Sequence, residues 1–218
     1  SEDFLIAYSN SPEYRKIIMA EKNGSTQVHI RNGEFLNIDI PLPSYEEQMK
    51  MGEQFNYLDR LITLHQRKCV ETKKFKKFML QKMFPQKGEK IPEIRFAGFT
   101  ADWEQRKLES MSEFITKGAT PTTYGFEWQT RGIPFFRNDA IKNNQFVYGE
   151  YSYISEEANE VLKRSEIRAN DILVAITGDI GKVGIIPKNI EKGNINQHTA
   201  RIRVTKNAVP YFIYQSLC

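Results

Sequence analysis

The stretch TGDIGK, residues 177–182, comes closest in this sequence to a motif that performs chemistry. A phosphate-binding P-loop needs the pattern G-x-x-x-x-G-K-[ST], in which backbone amides surround a phosphate. Here Ile176 stands where the first glycine belongs, and Val183 stands where the final hydroxyl residue belongs. The stretch is therefore interpreted as a tight loop that brings backbone amides and the charge of Lys182 to a surface.

Other catalytic and metal-binding arrangements also fail on residue type or spacing. Asp171 or Asp179 with Lys182 could form a metal-dependent nuclease site, but the carboxylates are too few and too loosely spaced to favour one. The sequence lacks the Asn/Asp-Pro-Pro-aromatic stretch of an amino-methyltransferase and the glycine-rich loop that opens a nucleotide-binding βαβ unit. Its two cysteines and three histidines lack zinc-ligand spacing. We therefore expect no catalytic residues, no metal and no cofactor.

The middle of the chain, residues 44–88, predicts one long helix. Ser44 and Glu47 form a capping box at its start, and Pro85 followed by Gly88 supplies the stop. A helix over residues 46–84 would be about 58 Å long at 1.5 Å per residue. In residues 44–90 Lys and Arg outnumber Asp and Glu by eleven to six, which is typical of a solvated helix face and permits contact with nucleic acid.

Apolar side chains recur along this helix at alternating spacings of four and three residues. This is the pattern of a coiled-coil seam rather than of a helix that lies on a globular domain. A helix of this length needs a partner helix, and His65 is expected to pack in the seam rather than to act chemically. The predicted dimer interface consists of Met51, Phe55, Leu58, Ile62, Cys69, Met79 and Met83.

The segments on either side of the helix predict mixed α and β structure. In residues 1–43, Ser11 and Pro12 start a helix, and STQVHI and NGEFLNIDIPLP predict strands. In residues 89–218, DILVAITG, KVGIIP and TARIRV predict strands, and SEEANEVLKRS predicts a short helix capped by Ser155. The first segment is too short to cover its own apolar faces.

Composition limits the classes of protein further. The net charge is +4, and no window approaches eighteen consecutive apolar residues, so a membrane span is not expected. The N-terminus has no basic region followed by an apolar run, so no secretory signal is expected. Two cysteines far apart argue against a disulfide framework and favour a reducing, cytoplasmic setting.

Several stretches occur in the order that characterises one known family. IPEIRFAGFTADWEQRKL, ITKGATPTT, GIPFFRNDAI, NDILVAITGDIGKVGI and NINQHTARIRV resemble the target recognition domain of the DNA specificity subunit of type I restriction-modification systems. GSTQVHIRNGEFLNIDIPLPSYEEQ resembles the end of such a domain and the start of its conserved spacer helix. The resemblance covers essentially the whole chain.

The resemblance implies an α+β fold in which a mixed α/β target recognition domain is split around the long coiled-coil-forming helix. Residues 1–43 would be the C-terminal part of a recognition domain, residues 44–88 the spacer helix, and residues 89–218 the N-terminal major part of a recognition domain. It implies a non-catalytic subunit that recognises double-stranded DNA and directs separate methyltransferase and endonuclease subunits to a bipartite target.

The order of the segments predicts how the domain becomes complete. YFIYQSLC can be laid over DFLIAYSN with Phe212 on Phe4, so the chain carries one circularly permuted recognition domain. A straight spacer helix holds its ends apart, and two chains that pair antiparallel would exchange recognition-domain parts in a closed homodimer. The alternative is a fragment of a longer specificity subunit, and the sequence leaves both open.

Within this resemblance, polar residues in predicted loops are expected to contact DNA. Arg137 and Asn138 suit bidentate hydrogen bonds to guanine and adenine. Gln27 and Arg31 would join the site from the partner chain, whereas Trp103 and Trp128 are expected in the core. The remaining candidates are Lys117, Thr120, Thr122, Thr123, Gly178, Lys182, Asn196, Gln197 and His198.

A hypothesis of another class is a purely structural, homodimeric coiled-coil module without DNA binding of its own. The exposed Lys-rich face of residues 68–82 suits either a docking surface or a DNA-backbone contact. Salt dependence separates DNA recognition from a purely structural module. DNA binding weakens steeply as salt rises, because phosphate neutralisation releases counterions, whereas a structural module shows no DNA binding.

Overall fold

The longest element is helix α4, Tyr45–Lys82, whose 38 residues span about 57 Å. At its start the Glu47 amide donates to Ser44 Oγ at 3.3 Å, so the predicted cap is present. Glu46 and Glu47 lie in the first turn, where the helix dipole favours acidic side chains. The helix ends at Lys82, within two residues of the predicted limit.

The structure, a computed structural model, describes residues 1–20, 32–148 and 152–218. It divides into two compact units, Ser1–Met79 and Leu80–Cys218, and the division falls inside α4. No helix in the described ranges is both long and apolar enough to cross a membrane. Helices and strands are combined as predicted, and the fold class is confirmed.

The first unit contains three short helices besides most of α4. They are α1, Glu2–Ser9; α2, Pro12–Ala20; and α3, Asn32–Leu36. The Tyr14 amide donates to Ser11 Oγ at 3.1 Å, so the predicted cap of α2 is confirmed. Phe4 of α1 is buried beside Gly52 of α4, where an added Cβ would lie only 2.7 Å from Asp3 Cβ. Gly52 therefore lets α1 approach α4 closely.

The predicted strand in NGEFLNIDIPLP is wrong. Residues 32–36 form α3, and residues 37–44 form no strand. Pro41 and Pro43 lack the amide hydrogens that a strand ladder requires. Ile38 and Ile40 are half-buried, and Asp39 between them is exposed. The alternation of apolar and polar residues therefore matches alternating burial, but the segment does not pair with a strand. The predicted strand STQVHI lies outside the described residues.

The second unit carries the β-structure and two further helices. The helices are α5, Glu156–Val161, and α6, Pro210–Leu217. The strands are β1 Ser112–Lys117, β2 Ile133–Phe136, β3 Ile141–Lys142, β4 Gln145–Phe146, β5 Ser152–Ile154, β6 Glu166–Ile167, β7 Ile172–Ala175, β8 Val183–Ile185, β9 Gly193–Ile195 and β10 Thr199–Val204.

These strands form two four-stranded sheets and a hairpin. The first sheet has the antiparallel order β1-β10-β7-β8, and the second has the order β5-β2-β9-β6 with β2 and β9 parallel. β3 and β4 form the hairpin. Strands β7, β8 and β10 confirm three predicted strands. Helix α5 confirms the predicted short helix and its cap, because the Ala158 amide donates to Ser155 Oγ at 3.1 Å.

One apolar cluster joins the two sheets. Leu173 of β7 in the first sheet packs in the same buried cluster as Phe136 of β2 and Ile195 of β9 in the second. A second cluster, which includes Ile202 and Ile213, seats α6 against the first sheet. The packed core therefore fixes the ends of strands from both sheets relative to one another.

A buried polar network fixes β9 further. Asn194 Nδ2 donates to Asn159 Oδ1 at 3.0 Å, and Ser165 Oγ donates to Asn194 Oδ1 at 2.7 Å. Asn159 Nδ2 in turn donates to Glu166 Oε2 at 2.6 Å. Asn159, Ser165 and Asn194 are all fully buried, and such satisfied networks make a core rigid.

Candidate nucleic-acid interface

The loops of residues 89–218 that carry predicted DNA-binding residues meet at one place. Parallel β2 and β9 place Phe136 beside Ile195, so the chain leaves both strands on the same side. The antiparallel pairs Thr199–Ala175 and Lys117–Ala200 bring the ends of β1 and β7 to the start of β10. We call this surface the loop edge; it comprises residues 117–124, 136–140, 176–182 and 195–199.

Main-chain hydrogen bonds connect these loops directly. The Ala119 amide donates to the Ile195 carbonyl at 3.1 Å, and the Asn196 amide donates to the Phe136 carbonyl at 3.2 Å. The Ile176 amide donates to the His198 carbonyl at 2.9 Å. Four segments that are distant in sequence therefore form one connected surface.

Gly118 makes this close approach possible. A Cβ at this position would lie 2.1 Å from the Ile195 carbonyl oxygen and 2.2 Å from that of Asn196. The Gly118 amide donates to the Thr199 carbonyl at 3.0 Å. The turn that follows, with Thr120, is thereby held against residues 195–199.

Three predicted residues form a chain of polar contacts at the loop edge. Thr120 Oγ1 donates to Gln197 Oε1, and Gln197 Nε2 lies 3.2 Å from His198 Nε2. Gln197 is exposed, as are Thr122 and Thr123 on the neighbouring turn. These side chains present hydroxyl, amide and imidazole groups to solvent.

Asn196 differs from its neighbours because it is buried. Its side-chain oxygen accepts a hydrogen bond from Thr199 Oγ1 at 3.1 Å, and its carbonyl accepts from the Thr199 amide at 3.2 Å. These contacts close the turn between β9 and β10. The structure thus places Asn196 beneath the surface on which Gln197 is exposed.

Arg137 lies directly after β2 and is exposed at the loop edge. Its guanidinium carbon is 5.4 Å from the centroid of the Trp128 ring. Trp128 was expected in the core, but it is 37% exposed and packs edge-on against Phe135 at 5.0 Å between centroids. Trp103, by contrast, is half-buried and contacts Phe84. The residue types alone did not pair Trp128 with Arg137.

The loop of residues 176–182 turns at two glycines with positive φ, Gly178 at 76° and Gly181 at 84°. A Cβ on Gly178 would lie 3.7 Å from Asn138 Nδ2, so this loop contacts the segment after β2. Lys182 Nζ pairs with the Asp179 carboxylate, which offsets its charge locally. Ile180 at the tip is exposed.

The two carboxylates of the discarded nuclease site lie at opposite ends of β7. Asp171, before the strand, is buried and accepts from Arg203 Nε at 2.8 Å and Nη2 at 2.6 Å. Asp179, after the strand, pairs with Lys182. These two groups share no site, and in the ranges that the structure describes no three His, Cys, Asp or Glu residues are grouped to hold a metal.

A buried arginine in the middle of β10 was not singled out by the sequence. Arg201 of β10 donates to the Arg164 carbonyl at 2.7 Å, and its guanidinium carbon is 4.4 Å from the Phe114 ring centroid. Burial, and next the charge of Arg203, lower the pKa of Arg201 to about 10. The group therefore remains a cation at neutral pH, buried beside Phe114 and Arg203 in the second unit.

The predicted dimer interface is largely uncovered within the chain. Met51, Phe55, Leu58, Ile62 and Cys69 are exposed, and Met79 and Met83 are half-buried. His65, which was expected to pack, is also exposed in the single chain.

Two of the predicted DNA-binding residues, Gln27 and Arg31, lie outside the described residues.

Comparison with known proteins points to one family. The family model described as type I restriction modification DNA specificity domain matches residues 4–74 and 100–218. The chain is 25% identical over 199 residues to the putative type I restriction enzyme MjaX specificity subunit of Methanocaldococcus jannaschii, covering 88% of this chain and 44% of the relative. It is 26% identical over 227 residues to the type I restriction enzyme EcoBI specificity subunit of Escherichia coli, covering 95% and 47%. The chain thus spans about half the length of these relatives.

Solved structures share the fold. A chain from a study of complex assembly and conformational transition of the type I R-M system aligns with a TM-score of 0.53 at 19% identity, over 99% of this chain and 52% of that one. The type I restriction-modification system S subunit from M. genitalium aligns with a TM-score of 0.51 at 14% identity, over the same shares.

Proposed function

The chain belongs to the family of type I restriction modification DNA specificity domains, and from this premise we propose that it recognises a specific DNA sequence as part of the specificity subunit of a type I restriction-modification complex. The observation that carries the proposal is the loop edge, where the polar loops of the matched region 100–218 converge on one connected surface. Family membership and this surface together favour DNA recognition over a purely structural coiled coil.

The side chains of the loop edge divide by the contacts that their chemistry allows. Exposed Arg137 and half-buried Asn138 suit bidentate contacts with guanine and adenine edges in the major groove. Lys117 and the threonines of the following turn suit phosphate oxygens, which position a protein without specifying sequence. Asn196 and Gly178 support the backbone of their loops.

We assign catalysis to other subunits. In this proposal the chain directs separate methyltransferase and endonuclease subunits to a bipartite target in the cytoplasm, and it contributes no catalytic residue of its own. The match of the chain to the type I restriction modification DNA specificity domain supports this assignment.

We further propose that two chains pair through α4 as an antiparallel homodimer with exchanged recognition-domain parts. Exposed apolar side chains on the seam, including Phe55 and Ile62, support pairing, since a contiguous apolar stripe on a long helix is stable when a second helix covers it. Two identical recognition domains related by two-fold symmetry would recognise inverted repeats.

Co-expression with the cognate methyltransferase subunits, followed by mapping of methylated sites, tests the proposal. We expect methylation at one bipartite sequence whose halves are inverted repeats. Methylation of a target with unrelated halves would contradict the homodimer, and absence of sequence-dependent methylation in a complex that assembles would contradict DNA recognition itself.

A salt series with the assembled complex separates DNA recognition from a structural module. Binding to the mapped duplex should weaken steeply between 50 and 200 mM salt, roughly in proportion to the number of phosphates contacted. Lys117→Gln should lower affinity on all sequences alike and reduce the slope of log affinity against log salt by about one for each copy that contacts DNA. A structural module would show no binding at any salt concentration.

A further inference from the structure

We infer that Trp128 is a positioning residue for Arg137, and that the pair recognises one G·C base pair of the target. The inference rests on the proposed function and adds to it the role of Trp128, which neither the residue types nor the family match assigns.

The indole of Trp128 contacts two residues on the same face of β2 and its extension, Phe135 and Arg137. Phe135 and Arg137 are two residues apart, so they point to the same side of β2 and its extension. The Trp128 ring contacts Phe135 at 5.0 Å between centroids, with the planes at 66°. It also lies under the guanidinium of Arg137, at 5.4 Å from ring centroid to Cζ. Trp is the aromatic side chain that binds a cation most strongly.

The indole is itself held in place by its neighbours in the chain. The Gln129 amide donates to the Tyr153 carbonyl at 2.9 Å, which ties this segment to β5. β5 pairs in turn with β2, with Tyr153 opposite Pro134. Phe126, two residues before Trp128, packs against the buried cluster that contains Phe135. The support for Arg137 therefore comes from the same sheet that carries it.

This support suits the guanidinium to base recognition. A guanidinium stacked on a ring keeps its donors in its own plane and free to form two parallel hydrogen bonds, the geometry that guanine O6 and N7 accept. Within the described part of the chain, Arg137 also donates one long hydrogen bond, from Nη2 to Ser152 Oγ at 3.5 Å. Because the side chain is ordered before DNA arrives, less conformational entropy is lost on binding.

Methylation rates on a panel of duplexes test this inference in the assembled complex. Each duplex carries the mapped target with one base pair replaced. In the wild type, replacing the G·C pair read by Arg137 should slow methylation roughly five- to 150-fold, the discrimination expected of a bidentate contact. In Arg137→Gln that penalty should fall close to onefold, while penalties at the other positions stay unchanged. Arg137→Lys should behave similarly, because lysine lacks the planar fork.

The Trp128 variants separate positioning from general stability. Trp128→Ala should reduce discrimination at the same base pair roughly two- to tenfold, the cost of ordering one long side chain on binding. Trp128→Phe should retain most of it, because a ring remains under the guanidinium. Lys188→Gln is the matched control: Lys188 is exposed and follows β8 at the end of the sheet away from the loop edge, so its loss should leave the panel unchanged.

Two outcomes would overturn the inference. If Arg137→Gln slows all duplexes equally or has no effect, Arg137 contacts phosphate or nothing. If Trp128→Ala and Trp128→Phe leave discrimination at that base pair unchanged, or change every position alike, Trp128 does not position Arg137. A wild-type complex that methylates without sequence preference would instead refute the proposed function. Thermal melting of each variant identifies loss of folding. If Trp128→Ala unfolds, the Arg137 variants still test base recognition, because Arg137 is exposed and its replacement leaves the core intact.

Discussion

At the residue scale, Gly118 is the position where the loop edge tolerates a side chain least. Its backbone lies so close to the carbonyls of Ile195 and Asn196 that no atom larger than hydrogen fits. The clash would be with backbone, which cannot rotate away as a flexible side chain would. The local geometry of the turn after β1 thus depends on one missing methyl group.

Gly118→Ala should therefore destabilise the second unit by about 2–3 kcal/mol, because overpacking forces backbone shifts. Denaturant unfolding of the purified chain measures this change. Gly33→Ala is a suitable control, since a Cβ there meets nothing within 4 Å, and it should be neutral or slightly stabilising. A Gly118→Ala protein as stable as wild type would show that the turn has an alternative conformation.

The Asp171–Arg203 pair is the second residue-scale feature with a clear energetic consequence. Asp171 is 2% exposed and accepts two hydrogen bonds from Arg203 and one from the Arg168 amide. Asp171→Ala leaves the arginine without its partner, which typically costs about 3–5 kcal/mol in a buried pair. Thermal or denaturant unfolding checks this value. Glu160→Ala, which removes an exposed ion pair with Lys163, should give no measurable change.

At the element scale, α4 presents apolar side chains on more than one face. Ile62 lies on the predicted seam and is 54% exposed, whereas Leu64 is exposed off the seam. Two residues along a helix correspond to a rotation of about 200°, so the two side chains point in nearly opposite directions. This allows a matched test of which face pairs.

Ile62→Glu should raise the dimer dissociation constant at least about a hundredfold. The substitution occurs twice in a two-fold dimer, and each buried aliphatic side chain contributes about 1.5–3 kcal/mol. Sedimentation across a concentration series measures the constant, and Leu64→Glu should leave it unchanged. A wild-type chain that sediments as a stable monomer at all concentrations would refute pairing through the seam.

The elements that could be predicted from sequence are those with local causes. α4 has a cap, an uninterrupted helical stretch and a proline stop, and β7 and β10 are short apolar runs between turns. The predicted strand in residues 32–43 is wrong because the prediction relied on the alternation of apolar and polar residues alone. That alternation also occurs where the backbone lacks the amide donors that a strand needs for pairing. Its Pro41 and Pro43 argued against pairing.

The candidate site could be predicted as a set of residue types but not as a surface. Parallel pairing of β2 with β9 joins residues about sixty positions apart, and no local pattern specifies that pairing. The meeting of the loops after β2 and β9 depends on this pairing, and the contact of Arg137 with Trp128 depends on the pairing of β2 with β5. Composition predicted which side chains could bind DNA, and the topology determined which of them are exposed together.

At the scale of the whole molecule, the two units differ in how much core they possess. In the described residues, every buried apolar side chain except Phe4 belongs to residues 80–218. The first unit carries exposed apolar residues such as Leu42 and Phe35 instead. The described residues of the first unit, 1–20 and 32–79, therefore bury little apolar surface among themselves.

A fragment of residues 80–218 should consequently unfold in one cooperative transition, whereas residues 1–79 alone should show helical content without a cooperative transition unless they dimerise. Circular dichroism with thermal melting at several concentrations measures both. A cooperative, concentration-independent transition for residues 1–79 would contradict the assignment of stability to the second unit.

Each of the four loops is joined to another by at least one hydrogen bond between main-chain groups, and this has a consequence for how such proteins diversify. These bonds do not depend on side-chain type, so an exposed side chain such as that of Arg137 can be replaced without loss of the main-chain bonds beneath it. Under the proposed function, exchanges of exposed side chains at the loop edge can alter the sequence preference, while Gly118 and the network around Asn194 keep the framework beneath them unchanged.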